Sequence, residues 1–153
     1  MSALVGRTDT SVVIDAPLDL VWDMTNDVES WPGLFAEYAS VRILGRDGDT
    51  VRFRLTTHPD EHGQVWSWIS EHTSDREALR VTSRRVEPGP LEYVGVEWIY
   101  SEEPGGRTRM RWIQDFRMRP DAAPDVAAMT GLVNADALTQ MGIIREEIEK
   151  AAR

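Results

Sequence analysis

The sequence contains no cysteine among its 153 residues, which excludes disulfides, thiolate nucleophiles and cysteine-based zinc sites. The three histidines, His58, His62 and His72, show no metal-ligand spacing, so we predict no metal site. No apolar run approaches the roughly 18 residues of a membrane helix. Met1 to Thr10 also lacks the basic start and apolar middle of a secretory signal. We therefore expect a soluble, cytoplasmic protein that does not enter a membrane.

Lysine is almost absent as well, because Lys150 is the only one among 17 basic residues. The formal net charge of −9 argues against nucleic acid as a partner, since phosphate binding draws on clustered lysine and arginine. The remaining basic residues are arginines, whose forked donors suit carboxylate, phosphate or enolate oxygens. The length fits one domain, and we predict a single domain over residues 1–153.

The most informative stretch runs from Gln64 to His72. In an extended strand, Trp66, Trp68, Ser70 and His72 share one face, which is aromatic at one end and polar at the other. One interpretation is a ligand-lined cavity, which explains both the indoles and the inward polar groups. The other is a core strand whose Ser70 and His72 lie at an exposed end.

Periodicity predicts an α+β chain. A short helix over residues 18–26 and a second one after Asp27 follow the first strand, and a long helix covers residues 125–152. The short connections between the later strands predict antiparallel neighbours. Period-two alternation predicts strands over residues 8–14, 40–44, 50–57, 64–73, 78–86, 91–100 and 107–118.

Three polar residues fall on apolar faces of these elements. Arg85 alternates with Val81 and Ser83 on the apolar side of its strand; it either faces a cavity or reaches solvent past its own stem. Asp136 and Gln140 lie at i and i+4 inside the apolar stripe of the last helix. Such groups either cap a cavity or lie where the helix reaches the surface.

The element order and a set of short motifs resemble the single-domain aromatase/cyclases of type II aromatic polyketide synthesis, in particular the spore-pigment cyclases and the N-terminal domain of the tetracenomycin aromatase/cyclase. The resemblance extends over nearly the whole chain. It implies a helix-grip fold of the START/Bet v 1-like superfamily, in which a curved seven-stranded antiparallel sheet wraps a long C-terminal helix around a hollow. The motifs are Arg7-Thr8-Asp9, Ala16-Pro17, Leu20-Val21-Trp22-Asp23, Thr25-Asn26-Asp27, Trp31-Pro32, Leu34-Phe35, Glu37-Tyr38-Ala39, Val65-Trp66, Arg85-Val86-Glu87, Gly89-Pro90 and Met110-Arg111-Trp112.

The resemblance also implies a function. The hollow is expected to receive a linear poly-β-ketone thioester carried by the acyl carrier protein of a minimal polyketide synthase, to promote first-ring aldol closure between C9 and C14, and to aromatise the ring by loss of water without a cofactor. Docking of that carrier is expected among Arg42, Arg46, Arg52 and Arg54 or near Arg80 and Arg84. By matched position, the implied pocket residues are Trp31, Phe35, Tyr38, Trp66, Trp68, Ser70, Arg85, Trp98, Trp112, Gln114 and Gln140, to which the helix pattern adds Asp136.

The family usually has an arginine where this chain has His72. Histidine exchanges protons near neutral pH, whereas arginine is a fixed cation, so the role of this position is kept, altered or lost. We assign Arg85 and His72 to oxyanion support or proton transfer, and Ser70, Tyr38 and Gln140 to substrate orientation. Two other functions stay open: a non-catalytic carrier or chaperone of a hydrophobic ligand, and an assembly component of the synthase.

Overall fold

A computed structural model describes residues 4–86, 91–120 and 125–153. The helices are α1 Leu18–Asn26, α2 Trp31–Leu34 and α3 Val126–Ala151, with a 3-10 turn at Val28–Ser30. Within these ranges, no helix is both long and apolar enough to cross a membrane. The strands are β1 Val5–Ile14, β2 Tyr38–Asp47, β3 Thr50–Thr57, β4 Ser67–Asp75, β5 Arg80–Arg85, β6 Leu91–Glu103 and β7 Arg107–Met118.

The seven strands form one sheet in the order β1-β7-β6-β5-β4-β3-β2, and every neighbouring pair is antiparallel. The long helix α3 contacts β1, α1 and α2, so it lies across the inner face of the sheet. This is the α+β helix-grip arrangement predicted from the sequence. Asp125 caps α3, since its side chain accepts a hydrogen bond of 2.8 Å from the backbone N–H of Ala128.

Several predicted strand bounds differ from the observed ones. Strand β4 begins at Ser67 rather than at residue 64, and β5 begins at Arg80 because Leu79 has a φ of 55°, which ends extended pairing. Strand β2 is longer than predicted and runs from Tyr38 into the hairpin at Gly48, whose φ of 58° permits the tight turn. The predicted connections at residues 88–90 and 121–124 lie outside the described residues.

The segment between α1 and β2 is anchored from two sides. The indole N–H of Trp31 donates to the carbonyl oxygen of Thr25 at 3.1 Å. The backbone N–H of Ala36 donates to the side-chain oxygen of Gln140 on α3 at 3.0 Å. The helix predicted after Asp27 is divided into the 3-10 turn and α2, which ends at Leu34, and Tyr38 begins a strand. In the extended segment between Leu34 and Tyr38, Phe35 and Glu37 face the inner side of the sheet, whereas Ala36 is exposed.

Candidate functional site

A cavity of about 140 Å³ lies between the inner face of the sheet and α3. All of the aromatic and polar residues predicted for the site border it except Trp66 and His72, so the interior beneath α3 is hollow rather than solidly packed. Its walls come from the segment before β2, from β3 to β7 and from α3. The lining residues are Trp31, Phe35, Glu37, Tyr38, Leu55, Trp68, Ser70, Ser83, Arg84, Arg85, Val94, Val96, Trp98, Trp112, Gln114, Asp136, Ala137 and Gln140.

Flat aromatic rings form one side of the cavity. Trp31 stacks on Trp98 with ring centroids 5.8 Å apart and planes at 9°, and Phe35 stacks on Trp112 at 6.1 Å and 11°. Trp98 and Trp112 also contact each other, with centroids 5.0 Å apart. Each ring is held by at least one other ring. The cavity therefore has a rigid wall that can order a flexible chain.

Arg85 enters the cavity from β5. Its guanidinium carbon lies 3.9 Å from the ring centroid of Trp68, which is within cation–π distance. Burial lowers the pKa of Arg85 from its usual value, and the nearby Tyr38, Glu37 and Asp136 raise it. Because an arginine stays protonated under such shifts, the cavity contains a fixed cation. Of the two orientations that the sequence left open for Arg85, the structure has the one that faces the cavity.

Two carboxyl groups, Glu37 and Asp136, border the cavity near Arg85. Burial raises the pKa of Glu37 to about 7, and the negative charge of Asp136 adds to the rise, whereas a hydrogen bond from Tyr38 opposes it. Burial also raises the pKa of Asp136, against hydrogen bonds from Gln140 and Glu37. Glu37 therefore exchanges its proton near neutral pH. No group of three acidic or histidine side chains suited to a metal ion occurs in the described ranges.

Four further polar residues of the predicted site line the cavity: Ser70, Tyr38, Gln114 and Gln140. The phenol ring of Tyr38 packs against Phe35 with centroids 4.9 Å apart and meets the edge of Trp68 at 6.2 Å. Burial raises the pKa of Tyr38 well above its usual value, so the phenol stays protonated. Gln140 lines the cavity, but its side-chain oxygen already accepts from Ala36.

A second hollow of about 200 Å³ adjoins the first between β6, β7 and α3. Arg85, Gln114 and Asp136 border both hollows. Each hollow is smaller than the roughly 300–1,000 Å³ typical of pockets that enclose a small-molecule ligand. The apolar residues of the second hollow are Leu91, Val94, Phe116, Leu132 and Val133.

Known proteins share this sequence pattern and this architecture. Residues 14–142 match the model of a family described as polyketide cyclase/dehydrase and lipid transport. The chain belongs to this family. A Streptomyces cyaneus protein named "Putative polyketide cyclase" is 56% identical over 149 residues, which cover 97% of each chain. The actinorhodin polyketide synthase bifunctional cyclase/dehydratase of Streptomyces coelicolor is 33% identical over 121 residues, which cover 78% of this chain and 36% of that protein.

Solved structures agree on the fold of this polyketide cyclase/dehydrase family member. The Zhui aromatase/cyclase from Streptomyces sp. R1128 superposes with a TM-score of 0.86 at 21% identity, covering 97% of this chain and 96% of that chain. A START superfamily protein from Mycobacterium smegmatis gives a TM-score of 0.71 at 13% identity, covering 95% and 96% of the two chains. Both matches confirm the predicted START-like helix-grip fold.

The structure places His72 outside the cavity that it was expected to line. It is 1% exposed and lies behind the aromatic wall, with its ring 5.4 Å from Trp31 and 5.6 Å from Trp98. Its Nε2–H donates to the side-chain oxygen of Asn26 at 2.8 Å, since the amide nitrogen of Asn26 donates to a carbonyl. Burial lowers its pKa to about 4. The expected contact of a protonatable His72 with substrate is therefore corrected: this imidazole is a neutral structural group.

Trp66 is also misplaced by the sequence prediction, since it is 47% exposed and does not line the cavity. Strand β4 begins one residue later, so the alternation that aligned Trp66 with Trp68 does not extend to it. The N–H of Trp66 donates to the Thr57 hydroxyl, and its carbonyl accepts from the N–H of Thr57. These bonds close the loop between β3 and β4 and leave the indole outside.

Glu37 was not among the predicted site residues, although it appeared in the motif Glu37-Tyr38-Ala39. A glutamate in a connection between elements is usually solvated, so neither its type nor its position distinguished it. The one feature of the sequence that could have indicated Glu37 as a site residue is its position next to Tyr38, which was already assigned to the cavity. The fold brings it beside Asp136, which is 99 residues later in the chain.

Proposed function

We propose that this chain is an aromatase/cyclase that binds a linear poly-β-ketone, directs closure of the first ring between C9 and C14, and aromatises that ring by loss of water. The observation that carries the proposal is the meeting of a rigid aromatic wall, the cation of Arg85 and the carboxyl pair Glu37–Asp136 in one cavity. The 56% identity to a relative named as a polyketide cyclase supports the same chemistry.

Enolate formation comes first in this mechanism. A methylene between two carbonyls is acidic, so a modest base is sufficient to remove its proton. The carboxylate form of Glu37 takes that proton, and its pKa of about 7 makes both protonation states available. Arg85 lies beside the same cavity and stabilises the negative oxygen of the enolate.

Ring closure follows when the enolate carbon attacks a ketone farther along the chain. A carbon–carbon bond forms, the ketone becomes an alkoxide, and Glu37 returns its proton to that oxygen. The Trp31–Trp98 and Phe35–Trp112 stacks limit the space in the cavity, so the polyketide chain must bend. The rate gain comes from holding two distant carbons in contact, since a well-oriented intramolecular reaction gains about 7–11 kcal/mol at best.

Aromatisation requires a second proton transfer. Removal of the proton next to the new hydroxyl and loss of that hydroxyl as water create a double bond, and enolisation of the remaining ketones completes the ring. Glu37 is placed to accept the first proton and to protonate the leaving hydroxyl, with Asp136 and Tyr38 holding it in position. Water is the only product released besides the ring, so the proposal needs no cofactor.

The test is product analysis with a minimal polyketide synthase, which supplies the chain on its acyl carrier protein. Addition of the purified protein is expected to shift the mixture toward a compound whose first ring is aromatised between C9 and C14. An unchanged mixture would refute the proposal. The variant Arg85→Gln serves as the control, because it removes the cation and retains a polar, hydrogen-bonding side chain, although a shorter one.

A non-catalytic carrier is the second candidate, because the family description also includes lipid transport. The apolar residues of the second hollow would suit the hydrocarbon part of such a ligand. The two functions differ in their response to Glu37→Gln, which removes the exchangeable proton and keeps the shape of the cavity. A carrier would leave the product pattern unchanged in this variant, whereas a cyclase would lose the first-ring product while still binding substrate.

A further inference from the structure

Three aromatic rings pack together in and behind the wall of the cavity. The indoles of Trp31 and Trp98 are parallel, with centroids 5.8 Å apart and planes at 9°. The imidazole of His72 is nearly perpendicular to both, 5.4 Å from Trp31 at 82° and 5.6 Å from Trp98 at 89°. The three centroids therefore form a nearly equilateral triangle. Its two indoles line the cavity, and the imidazole contacts both of them from behind.

A hydrogen bond to the end of α1 fixes the orientation of His72. The Nε2–H of His72 donates to the side-chain oxygen of Asn26 at 2.8 Å, and the hydroxyl of Ser74 donates to the same oxygen at 2.9 Å. The amide nitrogen of Asn26 donates to the carbonyl oxygen of Trp22 at 2.9 Å, so the amide itself is held. The imidazole is 1% exposed. A ring that is buried and bonded in this way keeps one orientation.

The same end of α1 also holds the two indoles. The indole N–H of Trp31 donates to the carbonyl oxygen of Thr25 at 3.1 Å. The hydroxyl groups of Thr25 and Tyr100 share a hydrogen bond of 2.7 Å. Tyr100 follows Trp98 by two residues on β6, so their side chains lie on the same face of that strand. Thr25 and Asn26 are therefore connected to all three rings, directly or through one neighbour.

We infer that His72, oriented by Asn26, is a positioning residue that sets the separation and tilt of Trp31 and Trp98 and thereby determines which two carbons of the polyketide meet. The inference rests on the proposed function, because its consequence for ring closure requires that function. A displacement of reacting atoms by about 1 Å can cost about 100-fold in rate. His72 acts through the two indoles, since it does not line the cavity.

Two substitutions separate the ring of His72 from its hydrogen bond. His72→Gln retains an N–H donor for Asn26 and removes the ring, whereas His72→Phe retains a ring and removes the donor. Product analysis with a minimal polyketide synthase measures the ratio of the first-ring product to the products of other ring closures. We expect this ratio to fall about 10- to 100-fold in His72→Gln and less than about fivefold in His72→Phe, in which a ring still supports both indoles.

Asn26→Ala gives a second test should His72→Gln fail to fold, because it leaves the imidazole in place without its acceptor. We expect the product ratio to fall about tenfold in this variant. The matched control is Thr108→Val, which removes another buried hydrogen bond, from the Thr108 hydroxyl to the carbonyl oxygen of Ala16 at 2.9 Å. Thr108 borders neither hollow, so the control should lose stability and keep the wild-type product ratio.

Near-ultraviolet circular dichroism tests the positioning without any substrate, because tryptophan signals depend on fixed side-chain packing. The tryptophan signal should change in His72→Gln and stay as in the wild type in Thr108→Val. A wild-type spectrum in His72→Gln would overturn the inference, as would an altered spectrum with an unchanged product ratio. An equal loss of the product ratio in Thr108→Val would overturn it too, because the effect would then follow from stability alone. If the wild type leaves the product mixture unchanged, the proposed function fails, and the spectra still decide whether His72 positions the indoles.

Discussion

The guanidinium carbon of Arg85 lies 3.9 Å above the ring of Trp68, at the boundary of two adjoining hollows. The indole holds the cation in one position through its π face, so little reorganisation is needed when negative charge develops next to it. A cation placed this way is suited to an enolate or alkoxide oxygen, because these carry the charge only during the reaction.

Replacing Arg85 by Gln is therefore expected to slow formation of the first-ring product by about 100-fold, the range found when one oxyanion donor is removed. Arg85→Lys should recover part of that loss, because it restores the charge without the planar fork. Product formation with a minimal synthase measures both variants. Equal activity of Arg85→Gln and the wild type would contradict an oxyanion role.

Glu37 gives a second prediction, on pH dependence. If its carboxylate is the base, the rate rises with pH through a midpoint near 7, the value to which burial raises its pKa. Glu37→Gln should lower the rate by about 100-fold or more and remove this dependence. Asp136→Asn should move the midpoint to lower pH, because the charge of Asp136 contributes to the raised pKa.

The matched control for Glu37 is Glu61→Gln, which removes a carboxyl from a side chain that is 86% exposed. Its rate and pH profile should equal those of the wild type. If Glu37→Gln kept the wild-type pH profile, the proton transfer would have to be assigned to another group.

We expect Gln140 to position the segment before β2, in addition to contacting the substrate. Its oxygen holds the N–H of Ala36 at 3.0 Å, in the segment that carries Phe35, Glu37 and Tyr38. Gln140→Leu removes this part-buried hydrogen bond and should cost about 0.5–1.5 kcal/mol of unfolding free energy, along with part of the catalytic rate. Gln140→Glu retains the acceptor for Ala36 but loses the hydrogen bond to Asp136, so it should recover only part of each loss. Denaturant unfolding and product assays measure the two effects.

His72 predicts a stability change at acid pH. Burial lowers its pKa from 6.5 to about 4, so the unfolded chain binds more protons between these values. Its contribution to stability is complete above pH 6.5 and is lost as the pH falls to about 4, by about 3 kcal/mol at most. His72→Gln should remove this contribution to the pH dependence of stability, whereas the exposed His62→Gln should retain it. Unfolding free energies at several pH values measure the slope, and identical slopes in His72→Gln and the wild type would contradict the assignment.

Glu37 has the opposite effect on the pH dependence of stability, over much of the same pH range. Its pKa is raised from 4.5 to about 7, so the folded state binds more protons and stability falls as the pH rises across that window. The two slopes partly cancel in the wild type. Stability of His72→Gln should therefore decrease from pH 4.5 to 6.5, and stability of Glu37→Gln should increase over that range. Parallel slopes in the two variants would show that this opposition does not exist.

Periodicity and turn residues were sufficient to predict most of the fold. The predicted bounds of α1, β3 and β7 equal the observed ones, because regular alternation and clear breaks mark their ends. Errors occurred where backbone conformation overrode the pattern. Leu79, in a left-handed conformation, shortened β5, and the loop closed by Thr57 and Trp66 delayed the start of β4.

Strand alternation alone fixes the direction of Trp68, Ser70 and Arg85, and all three line the cavity. Alternation gives the face of a strand but not the depth at which a side chain ends. His72 points inward as predicted, yet Trp31 and Trp98 come between it and the cavity. These rings belong to other elements, so no local pattern around His72 contains that information.

The shared border of the two hollows has a consequence for substrates of different length. If the proposed cyclisation occurs in the first hollow, a longer ketide chain must place its additional units past Arg85 and Asp136, in the second. The guanidinium would then stay at a fixed distance from the reacting carbons, whatever the length of the chain. Chains differing by one extension unit would close the same ring and differ only in the tail left beyond it.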